Sequence, residues 1–121
     1  MNSQVAQIER RSSTRVVAFC QVLDLEYNCL GITFDLSPEG ICLSLVNTFA
    51  TENDFLVILS PAYTKHIPNL VMKIRPVWRR QNDSQYDEVG GKILQVWTKE
   101  IFYTLLSYYQ KGGPSGLLVN F

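Results

Sequence analysis

The arginines of this chain are confined to two short stretches. Residues 1–15 carry three arginines against one acidic residue, and residues 65–80 carry five Lys and Arg with no acid. Between them, residues 16–64 hold six acidic residues and no Lys or Arg. If the fold brings the two stretches together, they form a local positive site on a chain of zero net charge, which suits a small anionic ligand better than a long polyanion. The arginines are Arg10, Arg11 and Arg15 in the first stretch and Arg75, Arg79 and Arg80 in the second.

Residues that could perform catalysis or bind a metal are sparse. His66 is the single histidine and lies in a predicted loop, so a Cys–His dyad is not expected. Cys20, Cys29 and Cys42 include no C-x-x-C pair, which argues against structural zinc, and three is an odd number for a disulfide framework. We therefore expect reduced, mostly buried cysteines, no metal or cofactor, and no enzymatic activity.

The length and composition indicate one compact domain. With 121 residues, 46% of them apolar, the chain is long enough to bury roughly two thirds of its unfolded surface. Its apolar runs are shorter than the ~18 residues of a membrane helix, and residues 1–7 are too polar for a signal peptide. We therefore expect a cytoplasmic protein without membrane insertion.

Two segments in the first third of the chain alternate apolar and polar residues, which is typical of a half-buried strand. The first is 22–27 and the second is 31–36. In the second, the alternation predicts an inner face of Ile32, Phe34 and Leu36 and an outer face of Thr33, Asp35 and Ser37. Asp35 and Ser37 are thus expected to project together.

Further strands are predicted at 41–46, 55–59, 70–80 and 86–96, with Pro76 marking an edge or a bulge. The period then changes to that of an amphipathic helix that begins after a Thr98 cap and runs to about Gln110. Six strands followed by one helix predict a mostly β fold: a six-stranded antiparallel barrel, split and of Greek-key type, with a C-terminal helix packed on it.

This pattern divides the chain into four parts. We expect a flexible N-terminal segment over 1–15, the barrel over 16–97, the helix over 98–111, and a Gly-rich tail with an apolar end over 112–121. The tail could contact a protein partner.

Two motifs follow one another near the start of the strand pattern. Arg11 and Arg15 form R-x-x-x-R, and 20 residues after Arg15 the segment from Asp35 to Gly40 fits D-x-S-x-x-G, with Gly40 placed where a positive φ is expected. Together with Trp78 and the later Gly-Gly-Lys-Ile run, these motifs resemble the PilZ domain, the bacterial receptor module for cyclic dimeric GMP. The resemblance covers about residues 9–97.

The resemblance implies that Arg11 and Arg15 hold phosphate and guanine, that Asp35 and Ser37 hold guanine and neighbouring backbone, and that Gly40 shapes the loop. The hydrogen-bonding capacities of these side chains are consistent with such roles. Arginine can donate to phosphate oxygens or to O6 and N7 of guanine, and an ionised aspartate can accept from the opposite edge of guanine. The remaining implied ligand contacts are Arg10, for an intercalated ligand dimer, and Trp78, as an aromatic face near a base.

The function implied is a second-messenger receptor that signals to a protein partner through ordering of its N-terminal segment when the ligand binds. Two alternatives stay open. The first is an adaptor with this fold that works without nucleotide. The second is a single-stranded nucleic-acid binder on an OB-like barrel that uses Trp78, Tyr86 and the basic cluster at 75–80. The zero net charge argues against it, so DNA and RNA are not expected partners. In addition, the first three arginines could be a solvated charge run, and Asp35 and Ser37 could simply brace a turn.

Overall fold

The computed structural model describes residues 15–62, 64 and 66–111. These residues form seven strands followed by one helix. The strands are β1 (Val16–Val17), β2 (Cys20–Leu23), β3 (Cys29–Leu36), β4 (Gly40–Val46), β5 (Phe55–Pro61), β6 (Leu70–Gln81) and β7 (Tyr86–Val96), and the helix is α1 (Lys99–Gln110).

All strand pairs are antiparallel and the sheet closes on itself. The strand order is β1-β3-β2-β5-β6-β7-β4, and an additional pairing of β3 with β4 completes the circle. Both β1 and β2 pair with β3, at its two ends, so they act as one bent strand. The structure therefore confirms the mostly β fold, a closed six-stranded antiparallel barrel with a C-terminal helix.

The core lies inside the barrel and beneath the helix. The helix buries one apolar face, and its Tyr109 hydroxyl donates a hydrogen bond of 2.5 Å to the Phe19 carbonyl between β1 and β2. That bond fixes the helix to the bent strand. The largest fully buried side chains include Leu36, Ile41, Leu43, Leu45, Leu59, Met72, Ile74 and Leu105. Within the described ranges, no helix is both long enough and apolar enough to cross a membrane.

The predicted strand over 22–27 is wrong in its second half. The chain leaves the sheet after Leu23 because Asp24 forms a turn, in which its carboxylate accepts from the backbone N–H groups of Glu26 and Asn28, each at 2.9 Å. These hydrogen bonds lower the pKa of Asp24, and the bond from the Asn28 backbone N–H makes the largest contribution. Tyr27 has a φ of 69° and an exposed side chain. Leu25 and Tyr27 therefore do not form the inner face of a strand, although the sequence pattern predicts one.

The predicted faces of β3 are wrong at Ile32 and Thr33. The register with β4 shifts between Thr33 and Asp35, and such a bulge reverses which residues face the core. Thr33 is fully buried, whereas Ile32 is exposed. The Thr33 hydroxyl donates to the Ala18 carbonyl at 2.9 Å and accepts from the Cys20 N–H at 3.0 Å, so it bridges the kink of the bent strand.

Two expectations about local geometry have opposite outcomes. The bulge expected near Pro76 is confirmed, since the register of β6 with β7 shifts between Pro76 and Trp78. Thr98 precedes the helix as expected, but the prediction that its side chain caps the helix is wrong. Its backbone is left-handed, with a φ of 70°, and its side chain makes no capping hydrogen bond.

Candidate functional site

Four residues from four neighbouring strands form a row across the outside of the barrel. Asp35 pairs with Cys42, Cys42 with Gly90, and Gly90 with Trp78. Residues directly opposite each other in an antiparallel ladder share a face, and adjacent strands are ~4.8 Å apart. Asp35 and Trp78 therefore share one surface, about 14 Å apart across three strand spacings.

Gly90 forms the floor of this surface. A Cβ atom on Gly90 would lie 2.3 Å from atoms of the Trp78 indole, so the ring rests directly on the glycine backbone. Trp78 is nevertheless 43% exposed, so part of the ring remains accessible from outside. The bulge after Pro76 and the missing side chain at Gly90 together seat an aromatic ring flat on the barrel wall.

Arg15 and Asp35 connect the two sequence motifs. Arg15 directly precedes β1, whose Val17 is opposite Asp35, and its Nη1 donates to Asp35 Oδ1 at 2.5 Å. Both side chains are accessible, at 55% and 32% exposure. The ion pair thus places the second arginine of R-x-x-x-R on the first residue of D-x-S-x-x-G.

An open cleft of about 210 Å³ lies between the arginine and the tryptophan. Its volume is below the ~300–1,000 Å³ of a pocket that encloses a whole small ligand, so it fits one part of a larger molecule. A cation forms one wall and an indole another. The lining residues are Arg15, Ile41, Cys42, Val77, Trp78, Gly90 and Gly91.

Ser37 does not project beside Asp35 as the sequence pattern predicts. Its side chain is buried, and its hydroxyl accepts from the Gly40 N–H at 3.0 Å and donates to the Gly40 carbonyl at 3.3 Å. The bulge at Phe34 and the turn that follows account for the difference. Ser37 therefore braces the hairpin that connects β3 to β4.

The expected positive φ at Gly40 is also wrong. Among the described glycines the positive value belongs to Gly31 instead. A Cβ on Gly40 would lie 3.5 Å from the Gly91 carbonyl, which is ordinary contact. Gly40 pairs with Lys92, directly before the cleft-lining residue Ile41, and does not need a special backbone conformation.

Cys42 lines the cleft, a position that the sequence analysis did not assign to it. Burial and the carboxylates of Asp35 and Glu88 raise the pKa of its thiol to about 11, and Sγ donates to Glu88 Oε2 at 3.7 Å. The thiol is therefore protonated at neutral pH. The register of the braced hairpin sets Cys42 opposite Asp35, and the sequence carried no signal for it because this register follows the bulge in β3.

The three arginines of the second cluster have different surroundings. Arg79 lies half-buried in a loop network, where it donates to Asp87 Oδ2 and the Phe49 carbonyl, both at 2.7 Å. Arg75 pairs with Asp54 at 3.2 Å, outside the cleft lining. Arg80 lies over the Trp78 ring, its guanidinium carbon 5.5 Å from the ring centroid.

Arg10 and Arg11 lie outside the described residues, so their predicted contacts stay predictions. In the part of the chain that is described, no group of three or more His, Cys, Asp or Glu is arranged to hold a metal ion. His66 is exposed and borders a separate groove against α1.

Comparison with known proteins gives one informative structural likeness. No protein-family model and no curated protein matches the sequence. The fold is similar to the structure of the Bacillus subtilis inhibitor of motility, MotI/DgrA, with a TM-score of 0.61 and 15% identity. The match covers 81% of this chain and 48% of that chain, so the shared region is about half of the larger protein. At this identity the likeness shows the fold alone, and that fold is PilZ-like.

Proposed function

We propose that this chain is a non-enzymatic receptor for cyclic di-GMP that binds its ligand on the outer barrel face between Arg15 and Trp78. The observation that carries the proposal is the Arg15–Asp35 ion pair beside the cleft. Two motifs 20 residues apart in sequence meet there, next to an exposed aromatic ring. The PilZ-like fold supports the same function.

The proposed roles follow from the donors and acceptors present. A guanidinium has five N–H donors, so Arg15 can hold Asp35 and still meet a phosphate or guanine oxygen. Asp35 is acceptor-only when ionised and suits the N1–H and 2-amino edge of guanine. Trp78 supplies a stacking face for a base. Ser37 and Gly40 contribute by bracing the hairpin through the two hydrogen bonds between them.

The N-terminal arginines extend the proposed site. Arg11 is four residues before Arg15, a distance of at most ~14 Å along the chain, so it can reach the second phosphate or a base. Arg10 would contact a second ligand molecule. The proposed signal is the ordering of this segment across the cleft, which changes the surface presented to a downstream protein partner in the bacterial cytoplasm.

Calorimetric titration with cyclic di-GMP tests the proposal. The parent protein should bind, and Arg15→Ala or Asp35→Ala should each remove charge-assisted bonds of roughly 1.5–3 kcal/mol, a loss of about 10- to 150-fold in affinity. Raising the salt concentration should weaken binding, because two phosphates are neutralised.

The matched control is Arg75→Ala. Arg75 and Asp54 form an ion pair with exposures of 58% and 30%, nearly those of Arg15 and Asp35, but this pair does not line the cleft. Arg75→Ala should therefore bind like the parent. Equal binding by the Arg15 and Arg75 variants would remove the basis for the assigned site.

A thermal-shift screen separates this function from the two alternatives. A ligand that binds only the folded state raises the melting temperature, so cyclic di-GMP should stabilise the protein. An adaptor that works without nucleotide would show no shift. A single-stranded nucleic-acid binder would instead respond to oligonucleotides at low salt.

A further inference from the structure

Arg80 lies over the Trp78 ring beside the cleft. The Arg80 guanidinium lies over the indole at 5.5 Å, and its Nε donates to Glu88 Oε1 at 2.6 Å. Its side chain is 71% exposed. The pair therefore presents a planar cation and an aromatic ring next to each other on an open surface.

We propose that Arg80 is a second ligand-binding arginine, which clamps one guanine of the ligand against Trp78. This inference rests on the proposed function and adds a residue that neither sequence motif contains. Bases in protein complexes stack on aromatic rings and on guanidinium planes, and here one platform of each kind lies within 5.5 Å of the other.

The guanidinium of Arg80 must move away from the Trp78 indole before a base can lie between them. Stacked planes are ~3.4 Å apart, so a base between the indole and the guanidinium needs about 6.8 Å. The guanidinium carbon is 5.5 Å from the ring centroid, and the separation of the planes cannot exceed that distance, so the gap must widen by at least about 1.3 Å. Arg80 can open this gap by rotating outward, because an exposed ion pair such as the one with Glu88 is held only weakly.

The other arginines of the cluster cannot take this role. Arg79 has its guanidinium bound by a carboxylate, a hydroxyl and backbone carbonyls, including Asp87 Oδ2 and Thr51 Oγ1. Arg75 pairs with Asp54 and, in the described residues, its guanidinium lies over no aromatic ring. Within the described part of the second cluster, Arg80 alone adjoins an aromatic face of the cleft.

The experiment uses a Trp97→Phe background, because the chain has two tryptophans and this change leaves Trp78 as its single indole. Cyclic di-GMP should quench the Trp78 emission, and the titration gives an affinity. Arg80→Ala should weaken binding about tenfold, the expected loss for one stacking partner. Arg80→Lys should also weaken binding, because lysine keeps the charge but lacks the plane. Arg75→Ala should leave the affinity unchanged.

The outcomes distinguish this inference from the proposed function. If Arg15→Ala weakens binding but Arg80→Ala binds like the background protein, the clamp is wrong and the receptor function stands. If Arg80→Lys restores full affinity, Arg80 acts only as a charge and the stacking role is overturned. If the background protein does not bind cyclic di-GMP at all, both proposals fail.

Discussion

Replacing Gly90 with alanine should unseat the Trp78 indole without unfolding the barrel. A Cβ at this position would lie 2.3 Å from the indole atoms Nε1 and Cε2 and 2.6 Å from Cζ2. The strand backbone is held by ladders to both β4 and β6, whereas the indole is on the outer face and 43% exposed. The ring is therefore the group that moves.

The expected cost follows from the contact that the ring gives up. A tryptophan buries up to about 250 Å², so losing about a third of that contact at ~25 cal/mol per Å² costs roughly 2 kcal/mol. Exchanging glycine for alanine inside a strand returns about 0.5–1 kcal/mol. The free energy of unfolding should thus fall by about 1–1.5 kcal/mol, which lowers the melting temperature by about 4–6 °C in a domain of this size.

Thermal melts and Trp78 fluorescence in the Trp97→Phe background measure the two effects. Gly90→Ala should lower the melting temperature, shift the indole emission toward that of a solvated ring, and weaken cyclic di-GMP binding because the cleft floor is filled. For the melting temperature and the emission, Gly40→Ala is the matched control, since its added Cβ meets only ordinary contacts. Unchanged emission and stability in Gly90→Ala would show that Trp78 does not rest on Gly90.

Three further predictions concern groups around the cleft and beneath the helix. Cys42, with its pKa raised to about 11, should be alkylated slowly at pH 8, where about 0.1% of it is thiolate. Asp35→Asn should accelerate the alkylation by removing a nearby negative charge. Peptide mass spectrometry measures both rates, and alkylation of Cys42 as fast as that of the exposed Cys29 would contradict the prediction. Tyr109→Phe should cost about 1 kcal/mol in urea unfolding through the lost hydroxyl bond, and no change would mean that the bond does not hold the helix. Arg79→Ala should cost about 2–3 kcal/mol by the same assay while the folded variant keeps its ligand affinity, and a selective loss of binding would place Arg79 in the site instead.

The architecture was predictable because strand number and order follow from hydrophobic patterning and turn residues. Errors arose where one local interaction overrides the pattern. The carboxylate of Asp24 ends β2 early although Leu25 and Tyr27 continue the alternation. One extra residue in β3 turns Thr33 inward and Ile32 outward, and a single apolar-polar pattern cannot locate such a bulge.

The candidate site was predictable in part. The motifs correctly placed Arg15 near Asp35, because hairpin pairing brings β1 against the end of β3. Sequence reasoning gave Ser37 an outward face and overlooked Cys42, since both depend on the register after the bulge. The pairing of Arg80 with Trp78 depends on the second bulge and on the side-chain geometry of an exposed strand. The spacing of residues in the sequence determines neither the position of that bulge nor the side-chain geometry.

The location of the ligand is tested most directly by two-dimensional ¹H–¹⁵N NMR during a titration with cyclic di-GMP. The largest shifts of backbone and side-chain signals should fall on Arg15, Cys42, Trp78, Gly90 and Gly91, with little change in α1. Shifts centred on the groove between α1 and the 66–67 loop, or no shifts at saturating ligand, would contradict a binding site on this face of the barrel.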